Sequence, residues 1–396
     1  MTTAANLPRN LQRRDTLRAA DILQFLKARE QEMVDMLCRL VQMESPSGNR
    51  PALAPMSDAL ATEFQKLGGR PKLHRQQAAG DHLQIDFPSA NGRQPVLLLG
   101  HYDTVWDVGT LAAIPCRVAQ GRVWGPGSFD MKGGIVQMMF ALRALRELRG
   151  DLSRSVTVLL VSDEEIGSET SRAITEGLAK KSAAVLVCEP AQSLAGALKT
   201  ARKGVGDYIV KVTGRAAHAG VDFPAGQSAT HELAKQISRI ESFTELKRGL
   251  TVNVGVIRGG TRTNVVAAEA LAEVDVRIPK LSDRPRVEKK FRSLKPFNKK
   301  CKLEVTGGIN RPPMERTPAV VQLFNTAKQI AGDLGWELKE ASTGGGSDGN
   351  FTAALGIPTL DGLGAVGEGA HATNESVVIS ELPRRAALLA SLIETI

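Results

Sequence analysis

The chain has 396 residues, more than one hydrophobic core usually organises, so we expect two domains. Its composition, with 42% hydrophobic and 23% charged residues, is that of a globular protein. The net charge of +9 is compatible with a nucleic acid or an anionic small molecule as ligand. We take the lysines and arginines to be dispersed, and aromatic residues make up only 4%, so nucleic-acid binding is disfavoured and an anionic small substrate is favoured.

The first half of the chain predicts alternating strands and helices. A polar lead-in over residues 1–20 precedes a helix over 22–43, and a second helix is expected over 57–67. The strands expected next are 82–87, 95–99, 155–161 and 183–187, and the helices between them are 131–148 and 169–180. This alternation predicts an α/β catalytic domain with a mostly parallel sheet and helices on both faces.

The pattern changes near residue 202. Strands over 207–213, 251–257, 270–278 and 301–305 and helices over 228–240 and 285–293 follow the order β-α-β-β-α-β. That order predicts a ferredoxin-like α+β unit. We therefore assign 202–311 to an inserted domain, and 1–201 with 312–396 to a discontinuous catalytic domain. Beyond the insertion we expect helix 319–334, strand 336–339, a helix after Ser347, strand 357–360 and a final helix from Leu382.

The cysteines and the lengths of the apolar segments indicate in which cellular compartment the protein is expected. The cysteines are far apart and form no CxxC pair, so we expect reduced thiols at Cys38, Cys116, Cys188 and Cys301. Charged residues interrupt the amino-terminal region where a signal peptide would need an apolar segment, and no uncharged run reaches membrane-spanning length. We expect a cytoplasmic protein with neither a membrane nor a nucleic acid as partner.

Side chains that bind metals recur just after apolar runs. These are His101, Asp130, Glu165, Glu189 and His371. Ligand sites of parallel sheets lie beyond the carboxyl ends of the strands, so we expect these side chains to converge there. Two imidazoles and three carboxylates suit a dinuclear zinc-type site.

Neighbouring residues strengthen this interpretation. Asp103 lies two residues after His101 and can orient its imidazole. Asp130 follows a turn rich in Gly and Pro, and its two oxygens could bridge two ions; capping of the next helix is the simpler interpretation and is compatible with bridging. The triplet from Asp163 to Glu165 is either a solvated acidic turn or a ligand beside a general base.

The motifs together resemble a known family. GHYDTV, GPGSFDMKGG, SDEEIGS, CEP, GRAAHAG and GGGSDGNFTAALGIP occur in the order found in the dinuclear zinc peptidases of the aminoacylase and carboxypeptidase G family. The similarity runs from about residue 37 to the end of the chain and is greatest to the glutamate carboxypeptidase branch.

The resemblance implies two Zn²⁺ ions per subunit, with Mn or Co as alternatives. His101, Asp130 and Glu189 would hold one ion, and Asp130, Glu165 and His371 the other. Asp130 would bridge the two ions, while the assignment of Glu165 and Glu189 between them stays open.

The resemblance also assigns the general base. Glu164 would take a proton from the water that bridges the two ions and pass it to the leaving amine. The Asp130–Met131 peptide bond would be cis.

Further residues are implied for the substrate. The insertion resembles a dimerisation or lid domain, so we expect a homodimer through 202–311 in which His218 reaches the partner's site and stabilises the oxyanion. Asn264 and Arg311 would bind a free carboxylate of the substrate. Gly346 belongs to a Gly-rich loop that lacks a P-loop pattern and would offer backbone groups to the substrate. Two further arginines are candidates, although an arginine on a strand is usually solvated: Arg262 and Arg277.

The hypothesis is therefore a metal-dependent hydrolase. It would cleave the amide bond to a C-terminal glutamate or other amino acid in an N-acyl amino acid or small peptide. The alternatives are an aminoacylase, an acetylornithine-type deacylase or a dipeptidase of the same family. A non-catalytic binder of small anions is disfavoured because none of the expected ligands is missing.

Overall fold

The computed structural model describes residues 17–396, and most of the predicted lead-in over 1–20 lies outside the described residues. The α-helices in chain order are α1 (Ala19–Lys27), α2 (Glu30–Val41), α3 (Arg50–Lys66), α4 (Thr110–Ala113), α5 (Gly133–Arg149), α6 (Arg172–Ala179), α7 (Ala229–Glu241), α8 (Arg284–Arg292), α9 (Pro318–Asp333), α10 (Gly349–Ala354) and α11 (Glu381–Thr395). Among the helices of residues 17–396, none combines the length and apolar surface that spanning a bilayer requires.

Strands group into sheets that separate two parts of the chain. In chain order they are β1 (Arg70–His74), β2 (His82–Phe87), β3 (Val96–His101), β4 (Arg117–Ala119), β5 (Arg122–Trp124), β6 (Val156–Val161), β7 (Ala184–Val187), β8 (Leu198–Arg202), β9 (Gly204–Thr213), β10 (Thr251–Gly259), β11 (Glu269–Ile278), β12 (Lys302–Arg311), β13 (Glu340–Thr343), β14 (Thr359–Leu360), β15 (Gly367–Glu368) and β16 (Ser376–Val378).

The largest sheet has the strand order β1-β2-β6-β3-β7-β14. Strands β6, β3, β7 and β14 run parallel, whereas β2 is antiparallel to β6 and β1 is antiparallel to β2. Every residue of β3 is buried, as expected for a parallel strand covered on both faces. The predicted mostly parallel sheet is confirmed.

Helices cover both faces of the large sheet. Successive residues of a strand point to opposite faces, so each strand contributes side chains to two cores. Leu98 and Leu160 belong to the larger core, together with buried residues of α1, α2, α3, α5, α9 and α11. Leu99 and Val187 point the other way and pack with Ala179 of α6. The two layers fix the sheet, and with it the edge where β3, β6 and β7 end.

A second, antiparallel sheet has the order β10-β11-β9-β12, and α7 and α8 pack against it. Burial alternates along β9, where Tyr208, Val210 and Val212 point into a core separate from that of the large sheet. Its elements follow the predicted order β-α-β-β-α-β. The limits 202–311 and the role of this unit in dimerisation stay predictions.

Three element predictions were wrong in detail. The helix predicted over 22–43 is divided into α1 and α2 at Ala28 and Arg29, and both helices contact α5 and α11. The helix predicted from residue 57 begins at Arg50, where the Asn49 side chain accepts a hydrogen bond from the first turn and Pro55 is accommodated inside. The strand predicted over 336–339 lies at Glu340–Thr343, because it pairs there with β8.

Candidate metal centre

The predicted ligands converge at one edge of the large sheet. His101 is the last residue of β3, Glu165 follows β6 by a short turn, and Glu189 follows β7. Since β6, β3 and β7 are adjacent and parallel, their carboxyl ends meet. His371 comes from the connection between β15 and β16, with a left-handed backbone (φ 61°) that non-glycine residues rarely adopt outside functional sites.

Asp130 lies between the two imidazoles. Its Oδ1 is 3.1 Å from Nε2 of His101, and its Oδ2 is 3.5 Å from Nε2 of His371. Glu189 Oε1 lies 3.5 Å from the His101 nitrogen, and Glu165 Oε1 lies 3.2 Å from the His371 nitrogen. The carboxylates are therefore divided between the two imidazoles, and Asp130 contacts both; its bridging of two ions stays a prediction.

The donor set fits divalent ions of the zinc type. Ligand atoms of His101, Asp130 and Glu165 all lie within 4.8 Å of one another, and so do those of His101, Glu164 and Glu189. Nitrogen and carboxylate oxygen are both ligands that such ions accept. Negative charges crowded in a largely buried site also need cations nearby. The arrangement therefore fits the metal centre predicted from the sequence.

Electrostatics in the ion-free chain reflect this crowding. Hydrogen bonds to Asp130 and Glu165 raise the pKa of His371 to about 10. Burial lowers the pKa of His101, but hydrogen bonds to Asp103 and to its carboxylate neighbours outweigh burial and raise it well above its ordinary value. For Asp130, burial opposes the hydrogen bonds from both imidazoles, and its pKa is lowered. Without an ion, protons on the imidazoles balance the carboxylates.

Asp103 positions the centre in two ways. Its backbone carbonyl lies 3.0 Å from Nδ1 of His101, and its carboxylate Oδ1 lies 3.5 Å from the same atom. The carboxylate accepts hydrogen bonds from Ser47 Oγ (2.7 Å) and from the backbone N–H groups of Glu164 and Glu165 (3.4 and 3.3 Å). The predicted orienting contact is thus made mainly by the carbonyl, while the carboxylate fixes the acidic turn.

The acidic residues of the turn after β6 have different roles. Asp163 accepts hydrogen bonds from Thr170 N (2.8 Å), Thr170 Oγ1 (2.7 Å) and Ser171 N (3.3 Å), so it is structural. Glu164 Oε1 lies 3.1 Å from Nη2 of Arg311, and the Glu164 side chain is 12% exposed. Burial raises the pKa of Glu164 well above its ordinary value, although Arg311 opposes the shift.

The loop that carries Asp130 is held by a residue missed in the sequence, Glu375. Its buried carboxylate accepts hydrogen bonds from the backbone N–H groups of Gly127 (2.8 Å), Phe129 (2.9 Å) and Asp130 (2.9 Å), and from Trp106 Nε1 (2.9 Å). Glu375 follows His371 by a few residues and so connects the segments that bring both imidazoles to Asp130. Only its nearness to the HATN motif could have pointed to it.

Asp130 itself is not a helix cap. Its backbone is non-helical (φ −114°, ψ 96°), its peptide bond to Met131 is cis as the resemblance implied, and the capping position of α5 belongs to Lys132. The capping alternative is wrong because the chain turns between Asp130 and the helix.

Arg311 makes contacts within its own chain that differ from the predicted role in substrate binding. It is 5% exposed and pairs with Asp348 through Nη1. Nη2 donates to the Glu164 carbonyl (2.8 Å) and to Ser168 Oγ (2.9 Å), and the guanidinium stacks over Phe351. With its donors engaged in this way, Arg311 holds the Glu164 turn, which a sequence pattern cannot reveal.

Two other cations lie near the ligands. Arg202 donates to both oxygens of Asp361 (2.8 Å each) and to the carbonyl of Gly346 (3.1 Å), so that carbonyl is already bonded. Lys199 is 7% exposed, and its ammonium donates no hydrogen bond to any residue within 17–396. The pKa of Lys199 is lowered by burial and by the neighbouring Arg202, which outweigh the opposing effect of Asp361, Glu189 and Asp130. No motif or spacing in the sequence pointed to Lys199.

His218 and Asn264 lie together in the inserted unit. Both are exposed, and the N–H of Ala219 donates to the Asn264 carbonyl (2.9 Å). His218 Nδ1 accepts hydrogen bonds from the N–H groups of Gly220 and Val221 (3.2 Å each), so the neutral ring carries its proton on Nε2. Within residues 17–396, no hydrogen bond or ion pair joins either side chain to the five ligands.

The two further arginines considered for substrate binding, Arg262 and Arg277, differ in their surroundings. Arg277 pairs with Asp275 on its own strand (2.7 Å), as expected for a solvated arginine, and Arg262 is exposed in the TRTN loop.

Comparisons with known proteins agree with the motifs. The pattern of the peptidase family M20/M25/M40 matches residues 97–395. Carboxypeptidase G2 of Pseudomonas sp. (strain RS-16) is 30% identical over 374 residues, which cover 91% of this chain and 88% of that protein. A succinyl-diaminopimelate desuccinylase of Psychrobacter sp. is 26% identical over 344 residues, covering 81% and 84%.

A solved structure of a peptidase also resembles this chain in fold. A tripeptidase from Staphylococcus aureus superposes with a TM-score of 0.74 at 25% identity, covering 92% of this chain and 98% of that one. The resemblance predicted from the motifs is thereby confirmed. The chain belongs to the peptidase family M20/M25/M40.

Proposed function

We propose that this peptidase is a two-metal carboxypeptidase-like hydrolase. Its substrate is an N-acyl amino acid or small peptide with a free carboxylate, and it cleaves the amide bond to a C-terminal glutamate or other amino acid. Relatives named as a carboxypeptidase and a desuccinylase, which both act on amides, support this assignment.

The observation that carries the proposal is the position of Glu164. Its carboxylate belongs to the cluster with His101 and Glu189, yet Glu165 rather than Glu164 contacts His371. Arg311 and the Asp103 carboxylate fix the turn from both sides. Glu164 is thus a carboxylate left over from the ligand set and aimed at it, which is the geometry a general base requires.

The two ions would be held by His101, Asp130 and Glu189 on one side and by Asp130, Glu165 and His371 on the other. We propose zinc, with manganese or cobalt as alternatives for the same donor set. When bound, ions of this kind lower the pKa of water and polarise a carbonyl oxygen.

The residues of the chain supply the remaining steps. Glu164 removes the proton from the attacking water and later delivers it to the leaving amine, so one carboxylate serves both transfers. His101 is kept in one tautomer because the Asp103 carbonyl faces Nδ1 and leaves Nε2 free for an ion.

Lys199 is the better partner for a substrate carboxylate than Arg311. Arg311 already binds Asp348, Ser168 and Glu164, whereas Lys199, which is 7% exposed, donates no side-chain hydrogen bond and forms no ion pair within residues 17–396. A cation at a largely buried position gains from a direct contact with an anion, which a substrate carboxylate would supply to Lys199.

We propose further that the chain acts as a homodimer through the inserted unit. Within residues 17–396, His218 and Asn264 form no hydrogen bond or ion pair with the five ligands, and Nε2 of His218 is opposite the Nδ1 atom that accepts from Gly220 and Val221. Such a donor suits a developing oxyanion if the partner's site receives it. The Gly346 loop then lies beside the substrate, although its carbonyl is bonded to Arg202.

The second candidate is an aminoacylase, deacylase or dipeptidase of the same family, favoured by the desuccinylase relative. Hydrolysis of a panel of N-acyl amino acids, varied separately at the acyl and amino-acid sides, separates the two. The carboxypeptidase proposal predicts rates that depend mainly on the amino acid and fall when its carboxylate is amidated. Rates set by the acyl group and indifferent to amidation contradict it, and a chain that binds ions but hydrolyses nothing favours the non-catalytic alternative.

A further inference from the structure

The positive charge of the chain is concentrated in the inserted unit. Residues 284–302, from α8 to the first residue of β12, contain nine Lys or Arg residues and one acidic residue, Glu288. This segment therefore carries +8 of the net charge of +9. The sequence-based view that the basic residues are dispersed is wrong.

The arginines and lysines of this segment differ in their partners. Those paired with a carboxylate are Arg284, Arg286, Lys290, Arg292 and Lys302. Four lysines are exposed and form no ion pair within residues 17–396: Lys289, Lys295, Lys299 and Lys300. Every arginine is thus engaged, and the free charges all belong to lysine.

An exposed aromatic residue lies between these free lysines in the sequence. Phe297 is 54% exposed, although its backbone N–H donates to the buried Glu232 carboxylate (2.9 Å). The N–H of Asn298 donates to the same carboxylate (2.8 Å), and Gln236 Nε2 donates to the carbonyl of Lys295 (2.9 Å). The loop is therefore anchored on α7, and this anchored backbone presents the ring to solvent.

We propose that Lys295, Phe297, Lys299 and Lys300, called here the 295–300 surface, dock reversibly on an anionic phospholipid bilayer. Lysines near a negatively charged leaflet each contribute attraction, and an adjacent aromatic ring adds apolar burial at the level of the headgroups. A nucleic acid fits less well, because the arginines that would clamp phosphates are already paired and a single ring offers little stacking.

The 295–300 surface lies in the inserted unit, in the segment between α8 and β12. α8 packs on β12, which is the edge of the antiparallel sheet opposite to β10. None of the four residues shares a hydrogen bond or ion pair with the metal centre within residues 17–396. Docking therefore does not depend on the proposed catalytic activity.

The test is co-sedimentation of the full chain with large vesicles of phosphatidylcholine, with or without about a third phosphatidylglycerol, at low and high salt. We expect binding only to the anionic vesicles and weaker binding at high salt, because screening shortens the range of attraction. The variant K295Q/K299Q/K300Q is expected to lower the vesicle partition coefficient on the order of 100-fold. Phe297→Ser is expected to lower it about tenfold.

A matched control removes the same charge elsewhere. Lys72, Lys181 and Lys328 are exposed and form no ion pair within the described part of the chain, so K72Q/K181Q/K328Q changes the net charge equally. This control is expected to bind vesicles like the parent chain. Equal loss of binding in both triple variants overturns the proposal, as does binding to short DNA or RNA duplexes without binding to anionic vesicles. Failure to bind any of these probes also overturns it.

Discussion

Replacing Glu375 by alanine tests how the chain positions its bridging carboxylate. The change leaves the N–H groups of Gly127, Phe129 and Asp130 and the indole N–H of Trp106 without their acceptor. At a net value of about 1 kcal/mol for each hydrogen bond, the free energy of unfolding falls by roughly 4 kcal/mol. Because the Asp130 loop is no longer fixed between the imidazoles, ion affinity is expected to fall about 10- to 100-fold.

The assay combines urea unfolding of the ion-free chain with a Co²⁺ titration of the folded variant, followed by visible absorption. Glu44→Ala is the matched control, since the Glu44 carboxylate accepts backbone hydrogen bonds from Gly109 (2.7 Å) and Leu111 (2.8 Å) in a loop without ligands. The control is expected to lose stability without losing Co²⁺ affinity. A Glu375→Ala chain that is destabilised but binds Co²⁺ as the parent does would refute the positioning role.

Further predictions concern the other site residues. Arg311→Met should lower kcat about tenfold or more and leave KM nearly unchanged, because Arg311 holds Glu164; a rise confined to KM in steady-state kinetics would restore its predicted role in substrate binding. Lys199→Met should raise KM about tenfold or more for substrates with a free carboxylate and leave their amidated forms unaffected, and equal effects on both would contradict the proposal. Since the pKa of His371 in the ion-free chain is raised from 6.5 to about 10, its contribution to stability is present below pH 6.5 and lost as the pH rises to about 10. The urea midpoint of the ion-free chain should therefore decline over that interval, and ion binding at pH 8 should release protons, measured by calorimetry in buffers of different ionisation enthalpy. An ion that binds without releasing protons would contradict the protonated state of the imidazoles.

The sequence predicted the sheet and the convergence of ligands because both depend on local patterns. The buried strand ending at His101 and the acidic turn after β6 are visible as apolar runs followed by polar residues. Parallel neighbours then bring such ends together, so the ligand edge follows from the fold class.

Other features depend on contacts between distant segments, which no local pattern reveals. Arg311 pairs with Asp348 and holds Glu164 across the chain, and its residue type suggested a substrate contact instead. Lys199 becomes notable only when its burial and lack of a partner are known.

The assignment of Glu164 as general base beside two ions is tested most directly by measuring ion content and hydrolytic rate together in Glu164→Ala. We expect a chain that binds two ions per subunit, as the parent does, and loses about 10²-fold or more of its rate, because the ligands remain while the base is removed. Near-parental activity in that variant would contradict the assignment of Glu164 as base. Loss of an ion along with the activity would place Glu164 among the ligands instead.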